Sequence, residues 1–355
     1  MKHGMIIIGF GNQGEWHYEN IRDRIPDIAV IGAYDIRPER GKVIEKNGIK
    51  NFSSAEEALA CKEADIVLIA TPNNFHKDYS ITAMKAGKNV VCEKPVCMNT
   101  AELDEVLRVA EETGKVFTVH QNRRWDADYR VVKNIIDSNL VGKPYYIDSR
   151  LFGCKGLPGD WRSAKVSGGG MMYDWSVHLI DQMIDLVHSR PVDVFVDAVN
   201  VMFKEVDDCN KIIVRFANGV RYQIVVDSWC YIGENRWHIS GDDGTALVPI
   251  WGSTEGKVIK ANIKKINWEH GFVFTANGRS STMAPRPVED LKEFEAPIPE
   301  LPKWEEFYQN FVAVVEGREK LLITHEENRI VMKVLDACFR SMSSGKVEKV
   351  DDLGR

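Results

Sequence analysis

The fold is decided by the stretch Met5-Ile6-Ile7-Ile8-Gly9-Phe10-Gly11-Asn12-Gln13-Gly14. Its first half is a short apolar run rich in β-branched residues, which predicts a buried strand over 5–9. The polar stretch that follows the glycines predicts a helix over 12–24, which Pro26 ends. The chain is therefore predicted to begin with a strand, a glycine-rich turn and a helix.

The same alternation continues through the first third of the chain. Further strands are predicted over 28–34, 64–70, 88–92 and 116–120, and helices over 38–47, 75–85 and 100–112. Strands that are apolar along their whole length and are separated by helices indicate a parallel sheet covered on both faces. Such a doubly wound sheet binds ligands at the carboxyl ends of its strands.

Beyond about residue 125 the pattern changes. Helices are predicted over 126–139 and 170–188, followed by strands over 192–203, 211–217, 220–229 and 237–240. Because no helices separate these strands, the sheet should be antiparallel or mixed, and Asn218-Gly219 is a hairpin signal. Thr324 and Glu327 form a capping-box pattern for a last helix, which runs to about Ser341. Residues 253–300 fit no regular pattern.

Length, charge and cysteine content narrow the class of protein. A chain of 355 residues suggests about two domains, here 1–122 and 123–355. The net charge of −6 gives no footprint for nucleic acid or for an anionic membrane surface. No apolar run is long enough for a membrane span, and we see no signal peptide. The seven cysteines form no CxxC pair, so reduced thiols in the cytoplasm are expected.

The glycine-rich turn has the spacing of a dinucleotide-binding fingerprint. Gly9, Gly11 and Gly14 form GxGxxG between a predicted strand and a predicted helix, so that Gly9 to Gly14, with Phe10, Asn12 and Gln13, should hold a pyrophosphate. Asp35 follows Gly14 by 21 residues, where an acid binds the adenosine ribose and repels a 2′-phosphate. This favours NAD. Arg37 could hold that phosphate, which leaves NADP open, and a ligand-free glycine turn is the alternative.

Further motifs add a family resemblance. They are Ala70-Thr71-Pro72-Asn73-Asn74-Phe75-His76, Val91-Cys92-Glu93-Lys94-Pro95, Gly168-Gly169-Gly170, Asp174, His178 and the helix at Thr324. Together with the fingerprint, the chain resembles the Gfo/Idh/MocA family of glucose–fructose oxidoreductase and inositol dehydrogenase relatives. The resemblance implies a Rossmann domain followed by an α/β domain with an open, mostly antiparallel sheet. It also implies a cis Lys94–Pro95 bond and a homodimer or homotetramer that assembles through that sheet.

The chemistry of alcohol oxidation suggests roles for three residues. A base that titrates near neutral pH must take the hydroxyl proton, and His178 has a suitable imidazole. Lys94 could favour the alkoxide, and Asp174 could bind a substrate hydroxyl or orient His178. Asp174, His178 and Asp181 at helical spacing could instead bind a metal, but no further Cys or His cluster supports this, and we expect none.

The remaining candidates line the same strand ends. Cofactor-binding candidates beyond the fingerprint are Asp35, Ile36, Arg37, Thr71, Pro72, Asn73, His76, Glu93, Lys94 and Asn122. Substrate-binding candidates are Lys94, Arg123, Trp161, Asp174 and His178. Arg123 could instead join the domains through an ion pair, and Trp161 could be a core residue.

These residues and the resemblance predict an oxidoreductase that acts on a polyol, inositol or sugar hydroxyl with NAD, NADP being the alternative cofactor. One alternative is an enzyme that keeps NAD bound and shows no net redox change, as in glycosidase-like or sugar–sugar oxidoreductase chemistry. The other is a non-enzymatic NAD-binding regulator. The small-molecule substrate itself is not identified by the sequence.

Overall fold

The computed structural model describes residues 2–261, 272–280 and 290–351. Six parallel strands form the first sheet. They are β1 (His3–Ile8), β2 (Ile28–Tyr34), β3 (Lys50–Asn51), β4 (Ile66–Ile69), β5 (Asn89–Cys92) and β6 (Phe117–Val119). Their order is β3-β2-β1-β4-β5-β6, so the winding direction reverses between β1 and β4. This reversal leaves a crevice at the carboxyl ends of the two central strands.

Helices cover both faces of this sheet. They are α1 (Asn12–Arg24), α2 (Pro38–Lys46), α3 (Ala55–Leu59), α4 (His76–Lys85) and α5 (Thr100–Thr113). Local chemistry sets their ends: the Asn99 side chain accepts the Glu102 amide at the start of α5, and Gly114 closes that helix with φ +64°. The predicted alternation is confirmed. The sequence pattern missed β3 and α3, which are too short to show a period.

The second sheet has nine strands within the described residues. They are β7 (Pro144–Phe152), β8 (Pro191–Val199), β9 (Cys209–Phe216), β10 (Arg221–Asp227), β11 (Trp237–Gly241), β12 (Gly244–Val248), β13 (Lys257–Ala261), β16 (Leu291–Glu295) and β17 (Glu348–Lys349). Two further strands, β14 (Val273–Thr275) and β15 (Gly278–Ser280), form a separate hairpin. Only the β7–β10 pair is parallel in this sheet as described. The predicted fold class, with its open and mostly antiparallel second sheet, is confirmed.

Four helices complete the described chain. They are α6 (Ala127–Asp137), α7 (Val177–Val187), α8 (Glu305–Val315) and α9 (His325–Ser344). The capping box at Thr324 and Glu327 is present. Helix α8 returns to the first sheet, where Phe307 and Phe311 join the same core as Met5. No helix within the described residues has the length and apolar character needed to cross a bilayer.

Two predictions about the second half were wrong. Residues 170–188 do not form one regular helix, because Met172–Ser176 is a π-helix that precedes α7. The strand predicted over 192–203 ends at Val199. The pattern also missed β7, since it buries polar groups: the Ser149 hydroxyl accepts a hydrogen bond from Arg236 at 2.6 Å. Of the unassigned stretch 253–300, residues 262–271 and 281–289 lie outside the described residues.

Candidate active site

The glycine-rich turn lies where β1 ends and α1 begins. Gly9 has φ +91°, and a Cβ there would lie 2.6 Å from the Ala70 carbonyl oxygen at the end of β4. A Cβ on Gly14 would lie 2.1 Å from the carbonyl oxygen of Gly9, so only glycine lets α1 pack this closely on the turn. Gly11 is the N-cap residue of α1. The turn therefore leaves the main-chain N–H groups of a helix start open to a pyrophosphate, which fits a dinucleotide.

Asp35 and Arg37 form a pair beside this turn. Asp35 accepts hydrogen bonds from the Arg37 amide at 3.0 Å, from Nε at 2.9 Å and from Nη2 at 3.0 Å. Burial alone would raise the pKa of Asp35, but the bonds from Arg37 outweigh it and leave that pKa below its ordinary value. A Cβ on Gly11 would lie 3.2 Å from Arg37 Nη2, so the guanidinium reaches across the turn. Ile36 between them is exposed.

The loop after β4 is tied to its neighbours by side chains. His76 places its ring nitrogens 2.7 Å from the Pro95 carbonyl oxygen and 3.0 Å from that of Thr71. The side chain of Asn73 donates to the Gly168 carbonyl at 2.8 Å. Thus His76 and Asn73, which were cofactor candidates, use their polar atoms to join loops. Pro72 lies between Thr71 and Asn73 in the sequence, and the Thr71 hydroxyl is buried with no hydrogen-bond partner in the described chain.

Lys94 and Asp174 meet across the crevice. The Lys94–Pro95 bond is cis, as the resemblance implies. Lys94 Nζ donates to the Asp174 carbonyl oxygen at 2.7 Å and to Oδ1 at 3.2 Å, and Arg162 Nε lies 3.5 Å from the same Oδ1. Burial would raise the pKa of Asp174, but the charges of Lys94 and Arg162 overcome it and lower that pKa. The ammonium is therefore held by a carboxylate that stays ionised at neutral pH.

His178 lies at the start of α7 and is almost fully buried. Its Nδ1 is buried with no hydrogen-bond partner among the described residues. Burial, and then the charges of Lys94 and Arg123, hold the pKa of His178 well below its usual value. The imidazole is consequently neutral at pH 7, the form in which one ring nitrogen has a free lone pair. Of the two roles considered for Asp174, orientation of His178 has no hydrogen bond in the described residues to support it, because the Asp174 carboxylate contacts Lys94 and Arg162.

Aromatic side chains surround Arg123. Its guanidinium carbon lies 5.1 Å from the ring centroid of Trp175 and 4.8 Å from that of Trp251. Arg123 Nη1 lies 3.4 Å from the Asp126 carboxylate, and Nε is buried with no partner in the described part of the chain. The ring of Trp175 also lies 5.7 Å from that of His178. Arg123 thus lies against the wall of the crevice that contains His178.

Trp161 is connected to Asp174 through Arg162. Its ring centroid is 4.5 Å from the guanidinium carbon of Arg162, the residue that pairs with Asp174. Trp161 begins a short 3-10 helix and is partly exposed, so it is not a core residue. Asn122 begins another 3-10 helix, which follows β6 and contains Arg123.

Glu93 is the centre of a buried hydrogen-bond network. One oxygen lies 2.7 Å from His17 Nε2 and 2.8 Å from His120 Nδ1, and Gln13 donates to it at 3.2 Å. The other oxygen accepts the Lys94 amide at 3.1 Å. Burial opposes ionisation, yet the two histidines hold the pKa of Glu93 well below its ordinary value. Glu93 therefore anchors the Lys94 loop to α1 and β6.

His17, Glu93 and His120 are also close enough together to share a metal ion. The proton positions do not suit one. Trp304 Nε1, which can only donate, lies 3.3 Å from His120 Nε2, so that nitrogen must be the acceptor. The His120 proton is then on Nδ1, which faces Glu93, and Nδ1 has no lone pair free for a metal. His17, Glu93 and His120 therefore form a hydrogen-bonded network.

The structure brings most sequence candidates to one place. Lys94, Asp174, His178 and Arg123 lie around the crevice, while Glu93, Asn73 and His76 lie behind it as supports. Sequence reasoning missed Trp175 and Trp251 as crevice residues. Trp175 directly follows Asp174 and could have been noticed, whereas Trp251 lies beyond the last strand that the pattern predicted.

Comparisons with known proteins assign both halves of the chain to one family. Residues 4–121 match the model of the GFO/IDH/MocA oxidoreductase family with an NAD-binding Rossmann fold, and residues 129–247 match the family's C-terminal domain. An NAD-binding protein from Listeria innocua is 35% identical, with a TM-score of 0.93 over 98% of this chain and 99% of that one.

Curated relatives include enzymes that act on polyols and sugars. An inositol 2-dehydrogenase of Salmonella typhimurium is 24% identical over 68% of this chain and 73% of its own length. A 1,5-anhydro-D-fructose reductase of Ensifer adhaerens is 30% identical over 61% of this chain and 67% of its own. The two matched domains, the glycine-rich turn and the 35% identical structure together show that the chain belongs to the NAD-binding Gfo/Idh/MocA family of oxidoreductases.

Proposed function

We propose that this oxidoreductase transfers a hydride between NAD and a secondary hydroxyl of a polyol, an inositol or a sugar. In the oxidation direction the hydroxyl proton goes to the neutral imidazole of His178. The bound cofactor supplies the hydride acceptor. The C–H bond of the carbinol breaks with its electron pair, and a carbonyl forms. Lys94, held by Asp174, stabilises the negative charge that develops on the oxygen.

The observation that carries this proposal is that one crevice contains both a positively charged group and an uncharged base. Lys94 is kept in place by two acceptor atoms of Asp174, at 2.7 and 3.2 Å. His178 is kept neutral by burial and by the same ammonium. A site that oxidises an alcohol by hydride transfer needs both a positive group and an uncharged base at the same oxygen. The names of the curated relatives, an inositol dehydrogenase and an anhydrofructose reductase, support a polyol or sugar as the substrate.

A panel assay tests the proposal. Purified protein is mixed with NAD, and separately with NADP, across inositols, sugars, sugar acids and polyols, and absorbance of the reduced nicotinamide is followed. We expect NADH from at least one member of the panel. If NAD binds and no member yields NADH, the proposal of net dehydrogenation fails, and release of a retained cofactor on denaturation would then support the alternative without net redox change.

We further propose that NAD is preferred over NADP. Asp35 lies at the end of β2, and its carboxylate would repel a 2′-phosphate. Arg37 forms an ion pair with that carboxylate and so offsets part of its negative charge. The preference for NAD over NADP should therefore be moderate. Asp35→Ala should shift kcat/KM toward NADP, and Arg37→Ala should shift it toward NAD. The opposite pair of shifts would contradict the assignment.

The second sheet supports a proposed homo-oligomer, a dimer or a tetramer. Its inner face is buried, as Tyr222 and Val214 show, but Phe195 and Ile213 are paired on the opposite face and are 37% and 42% exposed. Neighbouring apolar side chains exposed on one face of a sheet fit an interaction surface. Size-exclusion chromatography with light scattering should give at least twice the chain mass of 40.3 kDa. A monomer at micromolar concentration would contradict this.

A further inference from the structure

The segment that contains Asp174 is a π-helix and not an α-helix. At its end the Val177 amide donates to the Met172 carbonyl, five residues earlier. A π-turn is a rare and less stable form of helix that recurs at functional sites, so some other part of the molecule must hold it. Each residue turns an α-helix by about 100°, so loss of the extra residue would rotate Asp174 relative to His178 by that order.

Asp207 holds the beginning of this segment. Its carbonyl oxygen accepts the Met171 amide at 2.9 Å, and its carboxylate accepts the Met172 amide at 3.0 Å. Gly170 makes this approach possible, because it has φ +100° and a Cβ there would lie 2.4 Å from Asp207 Oδ1. The close approach of Asp207 therefore gives a structural reason for glycine at the last position of the Gly168-Gly169-Gly170 motif.

Asn210 connects the beginning of the segment to its end. Its Nδ2 donates to the Asp207 carboxylate at 2.8 Å, and its Oδ1 accepts the Ser176 hydroxyl at 2.8 Å. All three side chains are buried. Asn210 belongs to β9, and Asp207 lies just before that strand. Hydrogen bonds from this part of the second sheet therefore restrain both ends of the π-helix.

We propose that Asp207, Asn210 and Ser176 are positioning residues, which keep the π-helix in the register that faces Asp174 toward Lys94 and His178 toward the same crevice. None of the hydrogen bonds described for these three residues reaches the side chain of Lys94, Asp174 or His178. This inference rests on the proposed function for its kinetic consequences, but the restraint on the helix is measurable without any activity.

The test uses Ser176→Ala with Ser341→Ala as its matched control. Both hydroxyls are fully buried, and Ser341, near the C-terminal end of α9, donates to the Lys346 carbonyl and accepts the Val196 amide. Amide hydrogen exchange is followed by mass spectrometry over 171–178. We expect at least about tenfold faster exchange there in Ser176→Ala and no change in the control, since local opening follows the loss of restraint. Equal exchange in both variants would overturn the proposal.

Kinetics on fully folded protein give the second readout. A displacement of about 1 Å can cost about a hundredfold in rate, so kcat should fall between about tenfold and a hundredfold in Ser176→Ala and Asp207→Ala, with the Kd for NAD unchanged. Asp207→Asn keeps an acceptor for the Met172 amide and should recover part of kcat. If kcat is unaffected while wild-type activity is present, the positioning role fails. If wild type is inactive on every substrate, the proposed function fails, and exchange alone decides the positioning role.

Discussion

The Asp207 carboxylate should leave a signature in the pH dependence of stability. Burial raises the pKa of Asp207 from 3.8 to about 6, and its hydrogen bonds from Asn210 and Met172 only partly oppose this. Between these two values the unfolded chain is ionised at this position while the folded chain still holds the proton. The contribution of Asp207 to stability is therefore fully present below pH 3.8 and decreases as the pH rises to about 6. Integration from pH 4 to pH 7 gives a loss of about 2 kcal/mol.

Asp207→Asn lacks this titration, so the comparison isolates it. The free energy of unfolding is measured by urea denaturation at intervals from pH 4 to pH 7 for both proteins. We expect the stability of the variant relative to wild type to increase by about 2 kcal/mol across this range, whatever its offset at pH 4. A difference that stays constant with pH would refute the reasoning, because it would mean that Asp207 does not titrate in the folded protein between pH 4 and pH 6.

The remaining predictions concern the cofactor turn and the buried ion pair between Arg124 and Asp181. Gly11→Ala should fold normally, since its Cβ meets only the flexible end of Arg37 at 3.2 Å. It should weaken NAD binding by about tenfold or more, because the pyrophosphate loses its close approach to the main chain. Calorimetric titration measures the affinity, and an unchanged value would contradict the assigned pyrophosphate site. Arg124→Met should lower stability by about 3–5 kcal/mol, because the buried Asp181 loses bonds of 2.7 and 2.8 Å and is left unpaired. Asp181→Asn added to that variant should restore part of the loss in urea denaturation, and an equal or greater loss would contradict the pairing.

The Rossmann half could be predicted because its signals are local. Apolar runs such as 5–9 and 28–34 form strands that are covered on both faces, so nearly every residue in them is apolar and the strand is visible in the sequence. The second half was harder, because β7 buries polar side chains whose partners are distant in sequence. Ser149 is satisfied by Arg236, 87 residues away, and no window of sequence reveals such a pair.

The candidate site shows the same division. Lys94, Asp174 and His178 could be proposed as site residues because they belong to motifs, and in the structure they lie around one crevice. Their connections could not be predicted. Regular helical spacing predicts Asp174 and His178 on one face of a helix. In the structure Asp174 belongs to the π-helix that Asp207 holds, and its carboxylate pairs with Lys94. The roles of Glu93 and His76 as supports depend likewise on partners from other elements.

The most direct test of the account is the kinetics of His178→Ala on the best substrate from the panel. Loss of the base should lower kcat by about 10²- to 10⁴-fold, while the Kd for NAD stays within about twofold of wild type because His178 lies on α7, outside the glycine-rich turn. Circular dichroism and the melting temperature confirm that the variant is folded. Turnover close to that of wild type, with NAD binding intact, would contradict the assignment of His178 as the base and with it the central claim.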